Sequence, residues 1–114
     1  MIDGIYTAYM TGVAGQAMAM FVFREGKIGG ADMAGLVFSG DYVLVEGRIR
    51  GRVTYRMPAQ SISITGAEFE TASGDITVNI DLPEELDPEE TYGISTPVGK
   101  LNARFIKNIG FPDE

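Results

Sequence analysis

The sequence contains no cysteine, no histidine and no tryptophan, and these absences exclude several classes of function. Without cysteine the chain has no disulfide, no thiol redox centre and no zinc finger. Without histidine it has neither a Ser-His-Asp triad nor a Cys-His dyad. Carboxylate chemistry, hard-cation binding, a Lys or Tyr base and simple binding therefore stay open.

Basic residues are also few. The chain has 9 Lys and Arg and 16 Asp and Glu, which gives a formal net charge of -7. Nucleic-acid binding depends on clustered Lys and Arg, so we expect no direct contact with nucleic acid. No apolar run reaches the roughly 18 residues that a membrane span needs, and no signal-peptide pattern is present. We expect a cytoplasmic protein without membrane association.

Short stretches rich in Ile, Val, Phe, Tyr and Thr recur between glycine-containing turns, while helical periodicity is scarce. This pattern is typical of an all-β sandwich or barrel built from hairpins, and it predicts, among others, strands over 42–57 and 61–71 and a turn at 39–41. A chain of 114 residues is long enough to bury one hydrophobic core. We expect a single domain over residues 1–111, followed by a free tail at Pro112–Glu114.

Residues 46–57 form the longest regular pattern, with polar side chains at even positions and small or apolar ones at odd positions. Because successive side chains of a strand point to opposite faces, the arginines must share one outer surface. The pattern predicts one long bent strand, and the alternative is a bulge at Gly47 and Gly51 that splits it into two strands. This arginine face comprises Arg48, Arg50, Arg52 and Arg56. It is either a solubilising surface, a contact for an acidic partner, or a contact for the chain's own residues 81–90, in the same subunit or across a two-fold dimer.

Residues 81–90, the acidic segment, contain two prolines and six of the 16 acidic residues. The sequence predicts a loop or one short helical turn here, with Asp87 as its N-cap and Pro88 at the first helical position. A solvated acidic connection is the simplest interpretation, and a contact with the arginine face is the alternative.

Several short motifs occur along the chain in a characteristic order. They are Asp3-Gly4-Ile5-Tyr6, Phe21-Val22-Phe23, Gly26-Lys27-Ile28-Gly29-Gly30-Ala31-Asp32, Phe38-Ser39-Gly40-Asp41-Tyr42 and the closing Ile106-Lys107-Asn108-Ile109-Gly110-Phe111-Pro112. In this order they resemble the GrlR family, described as negative regulators of type III secretion. The resemblance covers both ends and about half of the chain.

The resemblance implies an eight-stranded antiparallel, lipocalin-like β-barrel with at most one short helix. It also implies a homodimer that acts by sequestering a partner protein, which in that family is a DNA-binding transcriptional activator. The family's regulator engages its partner with a run of consecutive acidic residues after the aromatic–glycine element. The matching stretch here, residues 41–47, contains only Asp41 and Glu46.

We therefore predict a non-enzymatic, protein-binding regulator whose contact residues combine the arginine face with nearby acidic residues. The candidate partner-binding residues are Arg48, Arg50, Arg52, Arg56, Asp41, Glu46, Glu84, Glu85, Glu89 and Glu90.

An alternative function is the binding of a small apolar ligand inside the barrel. An eight-stranded barrel is just wide enough to be filled by its side chains or to hold one small ligand. Methionine and aromatic side chains supply a soft apolar lining. The candidate lining residues are Met18, Met20, Phe21, Phe23, Phe38, Tyr55 and Phe105.

We expect no catalytic residue, no metal and no cofactor. Glu68 and Glu70 lie two apart on a predicted strand, as a general acid–base pair could, but solvent-facing polar positions explain them equally well. The glycines around Lys27 do not have the spacing of a phosphate-binding loop.

Overall fold

The computed structural model describes residues 2–111, which form β-strands joined by turns and loops. Eight strands form one antiparallel sheet that curls into a nearly closed barrel, and two short strands form a separate hairpin. This confirms the predicted eight-stranded antiparallel barrel. Within residues 2–111 there is no helix long and apolar enough to cross a membrane. The predicted tail at 112–114 lies outside the described residues.

The sheet has the strand order β8-β5-β4-β3-β2-β1-β10-β9, and β6 pairs with β7. The strands are β1 (Gly4–Gly12), β2 (Gly15–Arg24), β3 (Lys27–Asp32), β4 (Val37–Val45), β5 (Arg48–Tyr55), β6 (Ser61–Ile62), β7 (Glu68–Phe69), β8 (Ile76–Pro83), β9 (Tyr92–Thr96) and β10 (Gly99–Ile109). In the described part of the chain, β8 and β9 lie beside each other without ladder pairing, and this seam leaves the barrel open along one line.

Side chains alternate between the barrel interior and its outer surface, as the strand period requires. In β2, Ala19, Phe21 and Phe23 are buried, whereas Met18 and Met20 are exposed. The buried core consists of Ile2, Tyr6, Ala8, Ala19, Phe21, Phe23, Ile28, Phe38, Tyr42, Ile49, Leu82, Ala103 and Phe105. The core thus occupies the inside of the barrel.

The prediction of one long strand over residues 42–57 is wrong. Glu46 and Gly47 have φ values of 52° and 78° and form the turn between β4 and β5. Positive φ at both central residues is what a two-residue type I′ hairpin turn requires. Glu25 and Gly26 between β2 and β3 have nearly the same values, 49° and 78°.

The predicted turn at residues 39–41 is also wrong, because these residues lie in the middle of β4. A β-carbon on Gly40 would overlap the backbone carbonyl of Arg52, and one on Gly51 would overlap that of Asp41. These two glycines therefore allow β4 and β5 to approach closely. They do not reverse the chain.

Residues 56–75 connect β5 to β8 and contain the β6–β7 hairpin instead of the single strand predicted over 61–71. This covering segment lies across one end of the barrel. The amide of Ala14 in the β1–β2 turn bonds the carbonyl oxygen of Ile64 at 2.8 Å. The Thr65 hydroxyl donates to the carbonyl oxygen of Val98, in the β9–β10 turn, at 2.7 Å.

Candidate functional site

An apolar cavity of about 370 Å³ lies inside the barrel beneath the covering segment. Its wall is made by inward-facing residues of the strands together with residues of the covering segment. The apolar wall residues are Met10, Ala17, Phe21, Phe23, Ile28, Ala34, Leu36, Phe38, Val53, Tyr55, Met57, Pro58, Ile62, Ile64, Val78, Ile80, Leu82, Ile94, Leu101, Ala103 and Phe105. The volume is at the small end of the roughly 300–1,000 Å³ range typical of ligand pockets.

Five of the predicted lining residues belong to this wall: Phe21, Phe23, Phe38, Tyr55 and Phe105. The expectation that Met18 and Met20 line the cavity is corrected by the register of β2. Ala17, Ala19 and Phe21 face inward on that strand, so the residues that alternate with them face outward. Met18 is 38% exposed and Met20 is 52% exposed.

Sequence reasoning missed the aliphatic part of the wall, which includes Val53, Ile80 and Leu101 from three different strands. The signal was present in β8, where alternate residues from Ile76 to Leu82 are apolar. The contribution of Ile64 had no such signal, because it depends on where the covering segment folds back.

The aromatic part of the wall forms a chain of touching rings. The ring centroids of Phe21 and Phe38 are 5.2 Å apart, and those of Phe38 and Tyr55 are 5.4 Å apart. Such tilted pairs add stability beyond the area they bury. The packing fixes the orientation of Tyr55 at the cavity wall.

Most polar wall residues already have partners within the chain. The Oδ1 atom of Asp32 accepts the backbone N–H groups of Ala34 (2.9 Å) and Leu36 (2.8 Å), which builds the β3–β4 turn. The Ser61 and Thr96 hydroxyls donate to backbone carbonyl oxygens, each at 2.6 Å. These hydrogen bonds hold the wall in shape and leave the three groups little capacity to bond a ligand.

Two tyrosines close the opposite end of the barrel. The Tyr6 hydroxyl donates to the carbonyl oxygen of Ile2 at 2.6 Å, and the Tyr42 hydroxyl donates to the Asp3 carboxylate at 2.7 Å. Burial raises the pKa of Tyr6 to about 12, and burial with the Asp3 hydrogen bond raises that of Tyr42 to about 12. This end is a packed floor, and the cavity lies between it and the covering segment.

The arginine face lies on the outer surface, three of its members on β5 and Arg56 just beyond that strand. Arg48 binds Asp81 at 2.6 Å, and Arg50 reaches the same carboxylate at 3.5 Å. The hydrogen bond from Arg48 holds the pKa of Asp81 below its ordinary value. Arg56 binds Asp75 at 2.6 Å.

Arg52 lies opposite Asp41 in the register of β4 and β5. Together with the pairs at Asp81 and Asp75, this places an acidic residue of the same chain opposite each arginine of the face. Such exposed pairs are weak, so the arginine face stays available to a partner.

The acidic segment includes the end of strand β8 and the connection that follows it. Asp81 lies in β8, while Asp87 begins a turn in which its carboxylate accepts the N–H of Glu89 at 2.9 Å. The amide of Glu84 bonds the carbonyl oxygen of Gly47 at 2.9 Å, which brings this glutamate beside the turn that contains Glu46. Glu85, Glu89 and Glu90 are exposed on the same connection between β8 and β9.

The outer surface of five neighbouring strands carries exposed apolar side chains. This apolar outer face consists of Tyr9, Met18, Met20, Val22, Ala31, Val37 and Ile109. In the ladder Tyr9 is opposite Met18, and Ala31 is opposite both Met20 and Val37. The Arg104 guanidinium lies over the Tyr9 ring, 5.6 Å from its centroid.

Glu68 and Glu70 are exposed, and across residues 2–111 no three carboxylates form a group that could hold a metal ion. Comparisons with protein-family models, with curated proteins and with solved structures found no match to this chain.

Proposed function

We propose that the protein is a non-enzymatic binding protein whose barrel interior takes one small, predominantly apolar molecule. The cavity of about 370 Å³ carries the proposal. Protein interiors pack at the density of organic crystals, so a barrel filled by its own side chains would leave no space of this size among them. A space of this size, lined mostly by aliphatic and aromatic side chains, fits a ligand better than it fits water.

Displacement of an apolar fluorescent dye tests the proposal. The dye should bind the wild-type protein and lose its signal when a small hydrocarbon competes. Ala17→Phe fills the cavity from the inner face of β2, so it should abolish dye binding. Met18→Phe is the matched control, because residue 18 points outward from the same strand. Equal dye binding by both variants would contradict an interior site.

A second candidate function is the one that the GrlR resemblance implies, a regulator that binds another protein and forms a homodimer. The apolar outer face supports it, because apolar surface that spans five strands is unusual on a protein that acts alone. The exposed arginine face supplies the charged part of such a contact.

Sedimentation velocity and a pull-down from the source cell test the regulator. We expect Met20→Glu with Val37→Glu to abolish self-association or partner capture, since both residues lie on the apolar outer face. Reversal of Arg48, Arg50 and Arg52 to Glu tests the arginine face in the same assays. Association that both variants leave undiminished would contradict a role for these two surfaces.

A further inference from the structure

The barrel packs four tyrosines against its core, and one of them differs from the others. The hydroxyls of Tyr6 and Tyr42 are bonded at the floor, as described above. The Tyr92 hydroxyl accepts the backbone N–H of Asp87 at 3.0 Å. Within residues 2–111, the Tyr55 hydroxyl has no hydrogen-bond partner.

The Tyr55 side chain belongs to the cavity wall. In the described part of the chain, every fully enclosed polar side-chain atom has a partner, so the unpartnered Tyr55 oxygen must border open space. The Tyr55 side chain lines the cavity beside Phe38, another wall residue. A hydroxyl with accessible surface can bond water, and a ligand that displaces this water loses affinity unless it offers a hydrogen-bond partner in its place.

The protonation of Tyr55 defines what that hydroxyl offers. Burial raises the pKa of Tyr55 above its ordinary value, so the phenol stays protonated at neutral pH. A protonated phenol donates one hydrogen bond and also accepts. An oxygen acceptor on the ligand is its natural partner.

The charge of the wall selects against anions. Asp32 is the single charged residue among the described residues that line the cavity, and neither lysine nor arginine lines it. A carboxylate or phosphate ligand would have no cation to pair with and would meet the negative charge of Asp32. Desolvating an unpaired anion in an apolar cavity is strongly unfavourable.

We propose that the cavity takes an uncharged molecule with an apolar chain or ring and one oxygen acceptor, such as a ketone, ester or lactone, which accepts a hydrogen bond from the Tyr55 hydroxyl. This inference rests on the proposed function. It assigns Tyr55 as the residue that orients the ligand.

Calorimetric titration of three ligands tests the proposal. Pentylbenzene and butyl phenyl ketone differ only by a methylene in place of the carbonyl, and 5-phenylpentanoate adds a negative charge. Tyr55→Phe removes the hydroxyl and keeps the ring, so its fold should be retained. We expect Tyr55→Phe to weaken ketone binding by about twofold to tenfold, the range for one hydrogen bond. Pentylbenzene binding should not weaken, and 5-phenylpentanoate should bind far more weakly than the ketone.

The outcomes distinguish failure of this inference from failure of the proposed ligand-binding function. If the wild-type protein binds neither pentylbenzene nor the ketone, the proposed ligand-binding function is overturned. If it binds both and Tyr55→Phe weakens neither, the role of Tyr55 is overturned while the cavity remains a site. Binding of 5-phenylpentanoate as tight as that of the ketone would overturn the selection for uncharged ligands.

Discussion

The amide N–H of Ala14 donates a 2.8 Å hydrogen bond to the carbonyl oxygen of Ile64 and so joins the β1–β2 turn to the covering segment. The bond from Thr65 to Val98, at 2.7 Å, joins the same segment to the β9–β10 turn. Ile64 is itself part of the cavity wall. These two contacts therefore set the shape of the cavity at its covered end.

Substitution of Gly12 should disturb this arrangement. A β-carbon on Gly12 would overlap the carbonyl of Ile64, so Gly12→Ala must push the covering segment away. We expect the free energy of unfolding to fall by about 1–3 kcal/mol, as in other overpacked sites, and amide hydrogen exchange at Ala14 to accelerate.

Gly74→Ala is the control for this prediction, because Gly74 lies in the same covering segment and a β-carbon there meets open space. It should leave exchange at Ala14 unchanged. Unchanged exchange at Ala14 in Gly12→Ala as well would contradict the account of the covered end.

The register of β2 predicts opposite effects for neighbouring residues. Phe21 is 8% exposed and lines the cavity, whereas Met20 is 52% exposed. Phe21→Ala should cost about 3–5 kcal/mol of stability, and Met20→Ala should stay within about 0.5 kcal/mol. Urea unfolding measures both, and similar losses in the two variants would show that the register is wrong.

The fold class could be predicted from the sequence because alternation and turn residues are local signals. These signals mislead where one residue type serves two structural purposes, as glycine does in turns and at close contacts between strands. The residue type of Gly40 indicates a turn, whereas in the fold Gly40 permits the close approach of β4 to β5, which depends on a partner strand that the local sequence does not show. The turn at Glu46-Gly47 has a signal in the sequence, because the same residue pair, Glu25-Gly26, forms the turn between β2 and β3. The two turns have nearly the same φ values.

The candidate site, like the fold, could be predicted only where local signals such as residue type and alternation define it. Residue type indicates Phe21 and Phe105 as wall residues, and the alternation of β2 places Met18 on the opposite face from Phe21. The place of Ile64 in the wall could not be predicted, because it depends on contacts between the covering segment and two distant turns.

Alkaline pH should destabilise the barrel through its floor. The pKa values of Tyr6 and Tyr42 are raised to about 12 from the ordinary 10.0, so the folded state holds these protons more tightly than the unfolded state. Their contribution is complete below pH 10 and is lost as the pH rises from 10 to 12. Urea unfolding across this range should show stability falling with pH.

The double variant Tyr6→Phe with Tyr42→Phe is the control, since it has no phenol to ionise at the floor. Its stability should depend much less on pH over the same range. An equally steep decline in this variant would assign the alkaline instability to other groups.

The contact between Arg48 and Asp81 predicts a local change in titration. Arg48→Gln removes the 2.6 Å contact that lowers the pKa of Asp81, so that pKa should return toward its ordinary value. NMR titration of the Asp81 side-chain carboxyl carbon measures the change. Arg52→Gln, whose register partner is Asp41, should leave it unaltered. An unshifted Asp81 pKa in Arg48→Gln would show that the pair does not form in solution.

The most direct test of the central claim is an isotope-filtered NOE spectrum of the labelled protein with unlabelled butyl phenyl ketone. A ligand inside the barrel should give contacts to the methyl groups of Val53, Ile80 and Leu101, which line the cavity from three different strands. Contacts restricted to the outward-facing Met20 and Val22 would contradict the claim, because they would place the ligand on the apolar outer face.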